Sequence, residues 1–212
     1  MHGRMQDRTS NPRGRSGRRR VGAAAMVAGL LLGLAGPVMA QQGPAEVIRS
    51  RNVAVEKILD AAGDPVTEAT RERLKDVING FIDFTELSKR SLGKHWEERT
   101  ATERQEFIEV FRTLVRNTSV RKLEVYEADR MDYPPAEVTG AMAKVTTIAH
   151  KGTKAVTITY LMHKVGNEWK AYDVVIDGAS TARNYRDSFS REIAKTSYRA
   201  MYERLVKRAS GP

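Results

Sequence analysis

The chain has 212 residues, a formal net charge of +10, 41% hydrophobic residues and no cysteine. That length suits one domain of moderate size behind a leader, and the lack of cysteine excludes thiol catalysis, zinc–thiolate sites and a lipid anchor on an N-terminal cysteine. Residues 1–40 hold seven Arg and one acid, leaving 29 basic against 25 acidic residues beyond them, so the signal for nucleic acid largely leaves with the leader and no nucleic-acid partner is expected.

The front end has the pattern of an export signal. Seven arginines between Arg4 and Arg20 precede an apolar stretch from Val21 to Val38, and Val38-Met39-Ala40 forms a cleavage-type tripeptide before Gln41. Cleavage after Ala40 is expected, leaving residues 41–212 as a single domain. An uncleaved anchor is the competing reading, weakened by Gly22, Gly29, Gly33, Gly36 and Pro37. The paired arginines raise twin-arginine export, but Val21 and Gly22 behind them favour the general secretory route.

Four helical segments follow. Pro44 opens the first, with Ile48, Val55, Ile58, Leu59 and Ala62 on one face, and Gly63-Asp64-Pro65 ends it. The second runs from about Thr67 through Leu74, Val77 and Ile78 to Asn79-Gly80. Asp83 and Glu86 make a capping box for a short helix that Gly93 closes. A further box at Thr102 and Gln105 opens the longest helix, striped with Phe107, Phe111, Leu114, Val115 and Thr118.

From about Val125 the period changes, and Pro134-Pro135 excludes a helix. Val138, Met142 to Ala149, and Ala155 to Lys164 read as strands, with a turn at His150-Lys151-Gly152 and a hairpin at Val165-Gly166-Asn167. Trp169 to Ile176 is the last strand, Asp177-Gly178 the turn, and Ser180 or Thr181 the cap of a single terminal helix bearing Tyr185, Phe189 and Ile193. The expected fold is α+β: N-terminal helices and a long C-terminal helix on a curved antiparallel sheet.

Catalytic signatures are missing. There is no H-E-x-x-H, P-loop or dinucleotide fingerprint, and Ser180, Asp173 and His163 lack a nucleophile-elbow context for a triad. No catalytic residue, metal site or cofactor is assigned. Asp173, alone within an apolar strand, is expected to pair with Arg183 or Arg186, because an unpaired buried charge is costly. The chain does carry a surplus of apolar side chains. Period-two alternation turns Val156, Ile158, Tyr160 and Met162 to one face, with Tyr172, Val174 and Ile176 beside them. Phe189 and Ile193 are expected to close over that face, leaving either a dry core or a cavity without fixed charge.

F-I-D-F-T-E-L-S-K-R-S-L-G-K-H-W (Phe81 to Trp96), T-x-x-E-R-Q-E-F-I-E-V-F (Thr100 to Phe111) and W-K-A-Y-D-V-V-I-D-G-A-S-T-A-R-N-Y-R-D-S-F (Trp169 to Phe189) resemble the MlaC family, also described as toluene-tolerance auxiliary proteins. The resemblance implies a periplasmic phospholipid carrier in outer-membrane lipid asymmetry. Its implied partners are the phospholipid, an inner-membrane complex of MCE-domain protein and ABC transporter, and an outer-membrane lipoprotein complex. It implies a lipid pocket at or near Leu92, Trp96, Phe111, Tyr160, Tyr172, Val174 and Phe189, to which the apolar strand and helix faces add Leu114, Val156, Ile158, Met162 and Ile193. Asp173, Asn184, Tyr185 and Arg186 would lock the last helix on the sheet. Two departures from the family pattern are Ser119, where an aromatic is expected, and a tail from Ser197 to Arg208 without the usual Gly-containing segment. The alternatives are a carrier of another lipid such as a hopanoid, an isomerase-like enzyme with Asp173 as base, and an interaction module with a filled core.

Overall fold

Helix α1 (Pro44–Asp60) starts on a proline, whose fixed φ and missing N–H suit a first helical turn. The computed structural model describes residues 42–63, 65–120 and 128–211. The expected leader over residues 1–40, its cleavage site and the change of period at Val125 lie outside them. Helix α1 buries Ile48 and Val55 on one face. Helix α2 (Glu68–Asn79) is capped by Thr67, whose hydroxyl accepts from Thr70 N at 3.2 Å. Helix α3 (Phe84–Leu92) is capped by Asp83, accepting from Glu86 N at 2.9 Å, and a 3₁₀ turn over Gly93–Trp96 follows.

Helix α4 (Ala101–Ser119) opens two residues earlier than the sequence reading expects. Thr100 Oγ1 accepts from Glu103 N at 3.2 Å, and Glu103 returns the bond to Thr100 N at 2.8 Å, so Thr102 and Gln105 are not the box. Both pairs fit the pattern, but a carboxylate is the stronger acceptor and complements the positive helix end. The backbone bond to Thr100, above all, holds the Glu103 pKa below its ordinary value.

The sheet is antiparallel and unclosed. Its strands are β1 (Arg130–Asp132), β2 (Glu137–Thr139), β3 (Met142–Lys151), β4 (Lys154–Val165), β5 (Glu168–Ile176) and β6 (Ala179–Ser180), in the order β1-β3-β4-β5-β6 with β2 also on β3. His150 and Lys151 belong to β3, and the turn is made by Gly152 and Thr153 between the paired Lys151 and Lys154. Leu161 pairs with Asp173 but Met162 pairs with Ala171, a bulge that leaves Tyr172 as the extra residue of β5. The bulge reverses the parity of β5. Trp169, Ala171, Val174 and Ile176 share the face of Ile158, Tyr160 and Met162, while Tyr172 turns to the other side, contrary to the alternation read from sequence.

The C-terminal region is two helices, α5 (Thr181–Lys195) and α6 (Tyr198–Ala209), where one was expected. Thr196 leaves the helical conformation, and Ser197 caps afresh by accepting from Ala200 N at 3.1 Å. Phe107, Phe111, Phe189, Met201 and Leu205 form the centre of a helical core from α3 to α6. A second core lies on the sheet, where Ile48 and Phe81 meet Val145, Tyr160 and Met162. Val55, Leu74, Ile78 and Val120 make a smaller third cluster. Among the described residues no helix is long and apolar enough to cross a membrane.

Candidate functional site

A cavity of about 250 Å³ opens where α1, the end of α2 and the last turn of α4 face β4 and β5. Helical spacing brings Ile48, Arg51, Asn52 and Val55 to the same side of α1, which forms one wall. Ile158 and Tyr160 of β4, with Val174 and Ile176 of β5, form the opposite wall. Phe81 sits between them, its ring 5.7 Å from that of Tyr160 in an edge-on contact. The segment carrying Phe81 is fixed to the sheet. Ala171 N donates to Phe81 O and Asp83 N donates to Ala171 O, both at 2.8 Å, at the point where the bulge turns β5.

Polar groups interrupt this apolar lining, and two of them, Arg51 and Asn79, each have a buried atom without a partner among the described residues. Arg51 Nη1 donates to Val77 O at 3.1 Å, and its guanidinium lies 5.2 Å from the Phe81 ring centre, while Nε is buried with no acceptor among the described residues. Burial pushes the Arg51 pKa below its ordinary value, opposed by the charge of Glu168. Asn79 is 2% exposed, and its Nδ2 donates to Lys75 O at 2.7 Å and Ser119 Oγ at 2.9 Å. Its Oδ1 is buried without a partner. Ser119, where an aromatic was expected, therefore closes the polar corner of the cavity. The expectation of a cavity without fixed charge is corrected by Arg51.

The other face of the sheet carries a second cleft, of about 460 Å³. Lys89, Arg90, Arg183, Arg186 and Glu86 surround it, so it is poorly suited to an apolar ligand. Asp173 lies there, 6% exposed, and its oxygens accept from Ser180 Oγ at 2.6 Å and Ala182 N at 2.9 Å. The ion pair expected with Arg183 or Arg186 is not formed. The free N–H groups of the α5 start and the hydroxyl of its cap satisfy the carboxylate instead. Ser180 Oγ accepts in turn from Arg183 N at 3.0 Å, tying β5, β6 and α5 together.

The sequence-nominated residues separate into distinct places. Ile158, Tyr160 and Val174 line the first cavity. Met162 is fully buried in the sheet core beside it, with Val156 packed against that core. Leu92, Trp96, Phe111, Leu114 and Phe189 lie in the helical core, with Ile193 against them. Phe189 and Ile193 do not close over the sheet face as expected, because α5 runs along α3 and packs Phe189 on Phe107 and Phe111. Tyr172 lines the second cleft, 4.2 Å below the Arg90 guanidinium. Of the nominated lock, Tyr185 stacks on Phe189 and meets Phe111 edge-on at 4.8 Å. The stem of Arg186 covers Gly93, where a Cβ would come within 3.0 Å of Arg186 Cδ and where φ is 57°. Asn184 is exposed on α5, and its side chain makes no hydrogen bond among the described residues.

The contribution of α1 and α2 was missed. Their apolar stripes were recognised, but no local signal says that Ile48, Val55 and Ile78 border a space rather than fill a core, and Arg51 reads as an ordinary surface cation. Comparison with known proteins gives a family model described as MlaC protein, which matches residues 53–207. A solved structure from Ralstonia solanacearum, described as a phospholipid-binding protein in complex with a phospholipid, is similar with a TM-score of 0.66 and 20% sequence identity, over 77% of this chain and 93% of that one. No curated protein matches the sequence significantly.

Proposed function

The chain belongs to the MlaC family, and from that premise we propose that it is a periplasmic phospholipid carrier, shuttling lipid between outer-membrane and inner-membrane transporter complexes. The observation that carries this reading is the cavity walled by Ile48, Val55, Ile158 and Val174. Each exposed methylene costs about 0.8 kcal/mol in water, so a soluble carrier must supply apolar walls and needs no catalytic group. The phospholipid complex of the Ralstonia solanacearum protein supports the same ligand class. At about 250 Å³ the cavity is below the roughly 300–1,000 Å³ of sites that enclose small ligands, so a diacyl lipid parts its walls on entry. The same walls suit a rigid polycyclic lipid of the hopanoid kind, which lipid analysis separates from a phospholipid. The isomerase reading is disfavoured, since Asp173 faces away from the apolar cavity and both its oxygens are engaged.

Native mass spectrometry of protein purified from a bacterial periplasm tests the proposal. Phospholipid at close to one per chain is the expected result. The bare polypeptide mass after gentle handling would count against it. Movement of labelled lipid between donor and acceptor membranes bearing the two complexes tests the shuttle separately.

A further inference from the structure

A cation inside an apolar lining needs a reason. A cation also meets the helical core, where Arg112 lies over Phe84 with its Nε buried and without an acceptor among the described residues, but that guanidinium is held by Glu109. Arg51 has no acid on it among the described residues and borders a cavity, on a helix with exposed positions where an arginine would be fully solvated. Arg51 instead points across the cavity wall to the end of α2, where one of its nitrogens, Nη1, has an acceptor, Val77 O. That single bond satisfies an orphan carbonyl of the helix end, which explains Nη1. It does not explain Nε, which is buried with no acceptor among the described residues. Glu168, the acid whose charge reaches Arg51, is occupied by Lys170 Nζ at 2.7 Å. The guanidinium thus retains an unused edge, Nε with Nη2, the geometry that takes two oxygens of one anion side by side.

Resting on the carrier reading above, we propose that Arg51 is the headgroup-selecting residue of the cavity, its Nε–Nη2 edge taking the phosphate oxygens of a lipid whose acyl chains lie between α1 and the β4–β5 face. A small rotation about the Val77 bond turns the edge to the ligand, and the ligand oxygen ends the unpaired burial of Nε. Arg51 is half-buried beside Phe81, Ile48 and Val55, so the pair is less exposed to water than one on an open surface and correspondingly stronger. Asn79 Oδ1, the other unpartnered polar atom of the lining, is an acceptor and suits a hydroxyl or ammonium hydrogen of the same headgroup. The selection is for a phosphate-bearing amphiphile over a neutral one with the same chains.

The test offers delipidated protein an equal mixture of dioleoyl-phosphatidylglycerol and dioleoylglycerol, which differ in the phosphate-bearing headgroup, and measures both after repurification. Wild-type protein is expected to retain the phospholipid over the diacylglycerol by about tenfold or more, and Arg51→Gln to bring the ratio to within about twofold. Arg51→Lys keeps the charge without the fork and should fall between them, which preserves the test if Arg51→Gln does not fold. A purely structural Arg51, holding only Val77, would lower both lipids together and leave the ratio intact. Either that result or a wild-type ratio near one overturns the inference while the carrier reading stands. Retention of neither lipid defeats the carrier reading itself. Loss of the preference in millimolar inorganic phosphate would assign the edge to free phosphate and overturn the headgroup assignment, whereas oleic acid matching the phospholipid would show that any anionic head suffices and overturn selection for phosphate.

Discussion

Replacing Asp173 by alanine removes two acceptors from the start of α5 at once. The carboxylate binds Ser180 Oγ at 2.6 Å and Ala182 N at 2.9 Å in a nearly fully buried position. Hydrogen bonds to a charged group contribute about 1.5–3 kcal/mol each, and an orphaned buried N–H costs about 1–3 kcal/mol. The contributions overlap, because Ser180 retains its own capping bond to Arg183 N, so a total of about 3 kcal/mol is reasonable. For a domain of this size each kcal/mol shifts the melting temperature by about 2–4 °C, giving a fall of about 6–12 °C. Asp173→Asn keeps an acceptor for Ala182 N and should lose about half as much. Circular dichroism melts measure the shift, and lipid retention measured alongside should be unchanged, since Asp173 is on the face of the sheet away from the cavity. An unchanged melting temperature with lipid lost would refute the capping account and make Asp173 a ligand group.

Filling or charging the cavity should act in the opposite way. Val174→Trp, which occupies the space with apolar volume, and Ile158→Asp, which puts an acid among the acyl chains, should both abolish lipid retention, while Thr157→Asp on the exposed side has little effect; circular dichroism verifies folding and lipid analysis gives the readout. Phe189→Ala should cost about 3–5 kcal/mol by opening the helical core, yet the fraction that remains folded should carry its full complement of lipid. Thr100→Ala should cost about 1 kcal/mol through loss of the α4 cap, measured by denaturant titration. Tyr198 has its pKa pushed up to about 12 from 10.0, by burial first and then by the charge of Glu103. The neutral form is thus favoured by folding, so its contribution is full below pH 10 and lost as pH rises toward 12. Ultraviolet titration of tyrosinate should show a late-ionising group that Tyr198→Phe removes.

The starts of α1, α3 and α5 and the β3-β4-β5 meander were legible because their signals are local. Pro44, Asp83 and Ser180 mark their helices by chemistry confined to one turn, and the β4 alternation from Val156 to Met162 needs only the pleat. The bulge at Tyr172 had no such signal, since an extra residue in a strand leaves the apolar pattern almost intact while reversing the faces beyond it. Asp173 was visible as an anomaly, but arginine and a helix N-terminus both follow it closely, and only the folded chain distinguishes them. Phe189 and Ile193 announced an apolar face without announcing its partner, and a break at Thr196 let α6 complete the helical core with Met201 and Leu205. Arg51 was the least legible. One basic residue among 36 becomes conspicuous only when its surroundings are seen to be apolar.

Photocrosslinking tests the central claim most directly. A phospholipid with a diazirine near the end of one acyl chain, loaded into the protein and irradiated, labels the residues that touch the chain, and tandem mass spectrometry of the peptides locates the adducts. The account predicts labelling on α1 around Ile48 and Val55 and on the strands around Ile158 and Val174, with none on α5 around Phe189. Adducts concentrated on α5 or in the basic cleft beside Tyr172, with α1 unlabelled, would contradict it.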